Sequence, residues 1–216
     1  MAGPSATYTA HVSIPSRTIR LSAAFALSLA VAGAGVVAVI ASAASSSRTA
    51  PNGLAYSTAS PHAVQRQPPA NSCHADGSAL FSMPDPHCTP GALNPSVTQS
   101  TIGSTICKGG WTSTVRPPES ITEPEKLTSM KAYGDTGSPS PYEYDHQVPL
   151  ELGGAVNDPR NLWPEPDYPM HSGFYANPKD HLERALNRLV CVGQMPLSQA
   201  QKLIAAEWVS AFHRYG

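Results

Sequence analysis

The chain has 216 residues and a formal net charge of −1 at pH 7. Its length fits one domain or two small ones. The near-neutral charge excludes a strongly basic protein that attracts nucleic acid over long range, so any phosphate contact must come from a few local Lys and Arg side chains.

The N-terminus is typical of an exported protein. Residues 1–20 form a basic N-terminal region without an acidic residue, and residues 21–44 carry no charge. A basic start, an apolar run and the triplet Ala41-Ser42-Ala43 indicate a secretory signal peptide cleaved after Ala43. The run is also long enough to remain uncleaved as a membrane anchor. Both alternatives place the remaining chain outside the cytoplasm, either secreted or anchored to the cytoplasmic membrane.

Residues 45–72 are rich in Ser, Ala, Pro and Gln and carry almost no charge. This composition predicts a disordered linker, because such a segment buries too little apolar surface to offset its conformational entropy. The folded domain is therefore expected to comprise residues 73–216, which is long enough for one modest core.

All four cysteines, Cys73, Cys88, Cys107 and Cys191, lie in that domain. An even number of cysteines in an oxidising compartment predicts two disulfides. Of the three pairings that four cysteines allow, we favour Cys73–Cys88 with Cys107–Cys191. A histidine follows Cys73 and another precedes Cys88, which leaves a Cys/His zinc site as an alternative to the first bond.

Helical periodicity is clearest near the C-terminus. Asn177 and Pro178 fit a helix cap and a first helical residue, and apolar residues then fall on one face until Gly193. A capping box begins at Ser198 and precedes a second apolar stripe. These signals predict a C-terminal helical hairpin. A shorter helix is expected at about residues 123–133.

The most informative stretch covers residues 142–166 and reads YEYDHQVPLELGGAVNDPRNLWPEP. Asp145 offers an acidic oxygen, which hard cations such as Mg²⁺ or Mn²⁺ prefer, and His146 is the side chain best suited to take a proton from water near pH 7. Strand neighbours point to opposite faces, so the two converge only at a strand end. Gly153-Gly154 provides a turn, and a second strand can return through residues 161–163.

The pattern DH-x-V-P-L-x-x-G-G, with Asn-Leu beginning fifteen residues after the histidine, resembles the HNH nuclease motif. Residues 142 to about 183 carry this resemblance. A looser similarity to small exported bacterial HNH-like proteins covers most of residues 88–212. Together with the helical hairpin and the disulfides, it implies a disulfide-stapled α+β protein with a ββα-metal core.

The resemblance also implies roles for individual residues. Asp145 would bind one divalent metal ion, and His146 would be the general base that activates water. Asn161 would fix the loop and orient His146 through backbone hydrogen bonds. Mg²⁺ or Mn²⁺ is favoured by oxygen ligands, and Zn²⁺ is the alternative. Arg160 and Lys179 are candidates for binding the substrate.

The second protein ligand should come from the helix that follows the hairpin, and here the chain departs from the familiar pattern. The Cys pairs that accompany many HNH motifs are absent from the sequence. Four residues are candidates, namely His171, Asn177, Asp180 and His181. Asp180 and Asn177 rank highest because they stand at the start of the helix.

Structural explanations compete with several of these assignments. Asp145 can cap a turn, and His146 can be an ordinary half-buried histidine. Asn177 is fully explained as a helix cap. Lys179 and Glu183 are four residues apart and can form a surface ion pair. Glu143 and Glu151 are expected to face solvent.

The sequence thus predicts an exported, metal-dependent HNH-like endonuclease that hydrolyses the phosphodiester bonds of DNA or RNA. Nucleic acid is the expected partner, with a membrane contact through residues 21–44 if the signal stays uncleaved. One alternative is a catalytically inactive exported module that keeps the HNH scaffold and binds a partner or an envelope polymer. Another is a metal hydrolase that uses the same Asp-His pair on a different substrate.

Overall fold

The structure is a computed structural model that describes residues 48–78, 80–170 and 174–216. It is a mixed α+β fold of small sheets and four α-helices, which confirms the predicted fold class at that level. The predicted basic region and the signal or anchor segment lie outside the described residues. Within the described part of the chain, no helix is long and apolar enough to cross a membrane.

The strands are short and pair two by two. Those in the described residues are β1 (Ala55–Tyr56), β2 (Asp76–Ser78), β3 (Phe81–Met83), β4 (Ala92–Leu93), β5 (Tyr142–His146), β6 (Leu162–Pro166), β7 (Tyr168–Met170) and β8 (Phe174–Ala176). β1 pairs with β4 in parallel, whereas β2–β3, β5–β6 and β7–β8 are antiparallel. The pair β5–β6 is the hairpin that the sequence predicts around the Asp-His motif.

Four α-helices lie in the described residues: α1 (Trp111–Val115), α2 (Glu119–Ala132), α3 (Pro178–Cys191) and α4 (Leu197–Tyr215). A 3₁₀ turn at Leu150–Leu152 lies in the loop between β5 and β6. Helix α2 begins four residues earlier than predicted, directly after Pro118. Pro118 has an extended backbone, and the helix starts at the next residue.

The predicted helical hairpin is formed by α3 and α4, which pack against each other around the main core. Asn177 caps α3, since its side-chain oxygen accepts a hydrogen bond from the backbone N–H of Lys179 at 3.0 Å. Gly193 adopts a φ of +75° in the turn between the helices, a conformation that favours glycine. Trp208 of α4 is fully buried, and its indole N–H donates to the carbonyl of Ser82.

Both predicted disulfides are present. Cys73 bonds to Cys88, and Cys107 bonds to Cys191 at the end of α3. The second bond closes a sequence separation of 84 residues and ties the segment before α1 to the helical hairpin. The alternative zinc site does not form, because its two thiols are consumed by the first disulfide.

Residues 48–72, assigned by composition to a disordered linker, make ordered contacts with the rest of the domain. Ala55–Tyr56 forms β1 against β4, and Ala50 is buried in the main core. The Asn52 side chain donates to Gln201 of α4 at 2.9 Å. The segment has too few apolar residues for a core of its own, but it adds Ala50 to the main core, and its backbone and polar side chains hydrogen-bond to the rest of the domain.

Candidate active site

The end of strand β5 brings the predicted Asp-His pair to one cleft. Asp145 lies opposite Trp163 and His146 opposite Leu162 in the hairpin. Strand neighbours normally point to opposite faces. Both residues border one cleft, which has a volume of about 280 Å³, and His146 also borders a second cleft that Tyr144, Val156 and Leu162 line. The two residues are thus neighbours at the strand end where the sequence expects them, between two clefts.

Asn161 fixes the loop that joins the two strands. Its fully buried side-chain oxygen accepts hydrogen bonds from the backbone N–H groups of Ala92 (3.2 Å) and Val148 (3.0 Å). Its amide nitrogen donates to the carbonyls of Val148 and Ala155, both at 3.0 Å. All four hydrogen-bonding positions of the amide are used. This geometry fits the loop-fixing role expected of Asn161.

The Gly-Gly pair is required by close packing inside this loop. A Cβ atom on Gly154 would lie 1.7 Å from the carbonyl oxygen of Val148 and 2.9 Å from the Asn161 amide nitrogen. Gly153 has a φ of +76°, in the left-handed region. Any side chain at Gly154 would therefore push apart the segment that Asn161 holds together.

His146 is held in one orientation and stays neutral. Its ring is almost fully buried, and Nε2 lies 3.1 Å from the carbonyl oxygen of Val156. A carbonyl only accepts hydrogen bonds, so Nε2 carries the proton and Nδ1 keeps its lone pair. Burial lowers the pKa of His146 to about 4, although the Asp145 charge opposes this shift. The imidazole is therefore a neutral base at physiological pH.

Asp145 is bound by the side chain of Lys179. The Lys179 ammonium donates to Asp145 Oδ2, to Glu183 Oε1 at 2.7 Å and to the carbonyl of His146 at 2.9 Å. A carboxylate oxygen of Glu165 lies 3.6 Å from the same nitrogen. The Lys179 side chain is only 1% exposed. Residues of β5, β6 and α3 thus meet around one buried cation.

The Lys179 ammonium is the one positive charge that lies within 4.0 Å of three carboxyl groups in this cluster. Burial opposes ionisation of Asp145, but the Lys179 ammonium lowers the pKa of that carboxyl to about 2. Burial raises the pKa of Glu183 to about 8 and that of Glu165 well above its ordinary value, against the attraction of Lys179. At neutral pH the cluster therefore holds one ion pair, Lys179 with Asp145, beside two largely protonated acids.

Further charged side chains line the cleft around His146. Its acidic members are Glu143, Asp145, Glu151, Asp180 and Glu183. Two exposed arginines also line it, Arg116 after α1 and Arg184 on α3, and neither forms an ion pair within 4.0 Å with a described residue. The Asp145 charge raises the pKa of Glu143 to about 7. The cleft is therefore less negative than its formal charges indicate.

The predicted site residues fall into three groups. Asp145, His146 and Asp180 line the cleft, and Asn161 lies behind it. Asn177 is a buried helix cap and does not line the cleft. His171 lies outside the described residues, while His181 is exposed away from the cleft.

Neither residue predicted to bind substrate is free to do so. Lys179 is buried, and its ammonium is surrounded by two acceptors on β5 and one on α3 itself. The guanidinium of Arg160 is paired with Asp158, with nitrogen–oxygen distances of 3.0 and 2.6 Å, and it does not line the cleft. The arginines that line the cleft are instead Arg116 and Arg184.

Two simple sequence patterns connect Arg184 and Glu165 with residues already predicted at the site. Asp180 and Arg184 are four residues apart, so both lie on one face of α3. Glu143 and Glu165 are cross-strand partners in the hairpin, on the face that also carries Asp145. Arg116 follows a five-residue helix and precedes a proline pair, and no spacing in the sequence links it to His146.

The predicted ligand set does not fit a divalent metal ion in this arrangement. Asp145 Oδ2 accepts a hydrogen bond from an ammonium group, and the Asn177 oxygen accepts the capping hydrogen bond. A divalent ion in a protein site usually needs several oxygen ligands converging at 2.0–2.6 Å. Across the described residues, no group of three or more His, Cys, Asp or Glu is arranged to hold such an ion.

Comparison of the chain with protein-family models, with curated proteins and with solved structures finds no match, so the similarity to HNH nucleases rests on the motif residues alone.

Proposed function

We propose that this chain hydrolyses the phosphodiester bonds of nucleic acid, DNA or RNA, outside the cytoplasm. The observation that carries the proposal is the neutral imidazole of His146, held in one orientation at the wall of a polar cleft. Phosphodiester hydrolysis needs a base for water and cationic groups for the phosphate oxygens. His146 supplies the first, and Arg116 and Arg184 supply the second.

In the proposed reaction, Nδ1 of His146 takes a proton from a water molecule as the water oxygen attacks phosphorus. A new phosphorus–oxygen bond forms while the bond to the leaving oxygen breaks, and the leaving oxygen takes a proton from solvent. Arg116 and Arg184 bind the non-bridging oxygens and offset their charge. The Val156 carbonyl and the Asn161 hydrogen bonds keep the imidazole in position throughout. The divalent ion implied by the resemblance has no step here, because Lys179 already binds Asp145.

The location outside the cytoplasm rests on two features of the chain. The two disulfides are consistent with an oxidising extracellular compartment. The charge-free run of residues 21–44 fits a signal peptide or an anchor that would attach the domain to the cytoplasmic membrane.

The second candidate is an inactive exported module that keeps the scaffold and binds a partner or an envelope polymer. The engagement of Asp145 by Lys179 favours this candidate, because it leaves the cleft without a preformed cation site in the described residues. The two candidates differ in one measurable respect, since only the first requires substrate turnover that depends on His146.

A substrate panel tests the proposal. The full-length chain is incubated with supercoiled plasmid, single-stranded DNA, RNA, a peptide and a glycan, beside His146→Gln and the matched control His181→Gln. We expect cleavage of a nucleic acid by the wild type and by His181→Gln, and at least a hundredfold loss in His146→Gln. Cleavage of only the peptide or glycan, equal rates in the two variants, or no turnover of any substrate would refute the proposal.

A further inference from the structure

The ammonium of Lys179 has the surroundings of a bound cation. Its three N–H donors are used by three oxygens, from Asp145, Glu183 and the carbonyl of His146, and a fourth oxygen, from Glu165, flanks it at 3.6 Å. These oxygens come from both strands of the hairpin and from α3. A surface ion pair between Lys179 and Glu183, as their spacing predicts, would leave the lysine in solvent, yet its side chain is 1% exposed.

The position of Lys179 is fixed from both ends of the side chain. Its backbone N–H is held by the Asn177 cap, and Pro178 sets the first helical residue. The first turn of α3 therefore aims the side chain at the end of β5. Because the ammonium also holds the His146 carbonyl, it connects α3 with the strand end that carries the proposed base.

We propose that the Lys179 ammonium is the resident cation of this centre and takes the place of a divalent metal ion at Asp145. Lys179 is then a positioning residue, since it is buried behind the cleft and holds Asp145 and the backbone of His146 without touching substrate. It follows that the wild-type protein has no divalent-ion site that depends on Asp145. Removal of the ammonium should open such a site, because the carboxyl groups of Asp145, Glu165 and Glu183 would remain around an empty space.

Manganese titration tests this inference, with bound Mn²⁺ measured by electron paramagnetic resonance. Four full-length proteins are compared: wild type, Asp145→Asn, Lys179→Ala and the double variant. The control is Lys131→Ala, which removes an exposed lysine of α2. We expect equal Mn²⁺ binding by the wild type, Asp145→Asn and Lys131→Ala. Lys179→Ala should gain one site, whose affinity falls at least tenfold in the double variant.

A stoichiometric Mn²⁺ site in the wild type that is lost in Asp145→Asn would overturn the inference. So would a folded Lys179→Ala protein, verified by circular dichroism, that gains no site. If Lys179→Ala does not fold, the comparison of wild type with Asp145→Asn still decides, because it needs no change at Lys179.

The inference deepens the proposed function and rests on it only for the claim that the centre works without a metal ion. Metal binding and substrate turnover are separate readouts. A protein without an Asp145-dependent Mn²⁺ site that also leaves nucleic acid intact would refute the proposed nuclease and keep Lys179 as the resident cation. A nuclease with an Asp145-dependent Mn²⁺ site would keep the proposed nuclease and refute Lys179 as the resident cation.

Discussion

Two buried polar networks meet at the end of strand β5, and they are built on different principles. Around Asn161, a neutral amide makes four hydrogen bonds to backbone groups. Around Lys179, one ammonium faces three carboxyl groups, and the buried Glu165 carboxyl lies 3.6 Å from it. The first network is complete in itself, whereas the second has more acceptors than donors.

The two networks differ in how their geometry depends on pH. A satisfied neutral network holds one geometry at any pH, because none of its members titrates in the accessible range. A buried cluster with one cation and several acids depends on its charge state, since any uncompensated charge in the interior is costly. The chain therefore uses Asn161 to shape the loop and Lys179 to set the electrostatics behind His146.

The largest expected effect comes from removing the buried cation. Lys179→Ala should lower the free energy of unfolding by about 3–5 kcal/mol, because it leaves Asp145 buried without its partner. Urea denaturation measures the change, and Lys131→Ala should stay within about 0.5 kcal/mol of the wild type. A loss below about 1 kcal/mol for Lys179→Ala would show that the cluster is not held by this ion pair.

Removing the neutral network should cost somewhat less. Asn161→Ala should lower the free energy of unfolding by about 2–3 kcal/mol, since several buried backbone groups lose their partner. The matched control is Asn94→Ala, because the half-buried Asn94 side chain accepts one local hydrogen bond from the backbone of Ser96. Equal losses in the two variants would contradict the special role assigned to the Asn161 amide.

The neutral state of His146 predicts a pH dependence of stability. The folded-state pKa of His146 is lowered to about 4, from an ordinary value of about 6.5. Between these values the unfolded chain binds more protons at this residue, so the contribution of His146 to stability falls as pH decreases from 6.5 towards 4. At pH 5.5 the wild type should have lost about 1 kcal/mol more than His146→Gln, relative to pH 7.5. Urea denaturation measures the free energy of unfolding of both proteins at each pH. An equal change in the two proteins across this window would show that His146 is not buried in its neutral form.

The smallest expected effect is the response to salt. Among the described residues, two arginines line the cleft without an ion pair, so the logarithm of nucleic acid affinity should fall with the logarithm of salt concentration with a slope of about −2. Binding to a fluorescent oligonucleotide by the slow-cleaving His146→Gln variant measures this slope. Adding Arg184→Met to this variant should reduce the magnitude of the slope by about 1. Arg188→Met, which changes an exposed arginine of α3 outside the cleft, serves as the control. A slope near −6 would mean that the phosphate contacts lie elsewhere.

Local signals explain why much of the fold could be predicted. The Asn177-Pro178 start, the Gly193 turn and the apolar stripes gave the helical hairpin, and the Gly153-Gly154 turn gave the strand pair. Both disulfide pairings were also predicted. The helices and the strand pair depend on residues that are close in sequence. The disulfides had to be chosen from only three possible pairings of four cysteines.

The sequence-based predictions that were wrong concern residues whose positions depend on long-range packing. Lys179 has the spacing of a surface pair with Glu183, and only the approach of β5 and β6 buries it. Arg116 lines the cleft beside residues of β5 and α3 that are distant from it in sequence. Residues 48–72 look like a linker in composition, and only their contacts with a finished domain surface order them.

We propose that a neutral His146 and a fixed lysine cation together make a phosphodiesterase that needs no metal ion. Plasmid nicking by the full-length protein, after exhaustive chelation of divalent ions, tests it most directly. We predict that the chelated wild type still nicks supercoiled DNA or cleaves RNA, and that His146→Gln is at least a hundredfold slower. Loss of cleavage on chelation with recovery on adding Mg²⁺ or Mn²⁺, or equal cleavage by both proteins, would contradict the account.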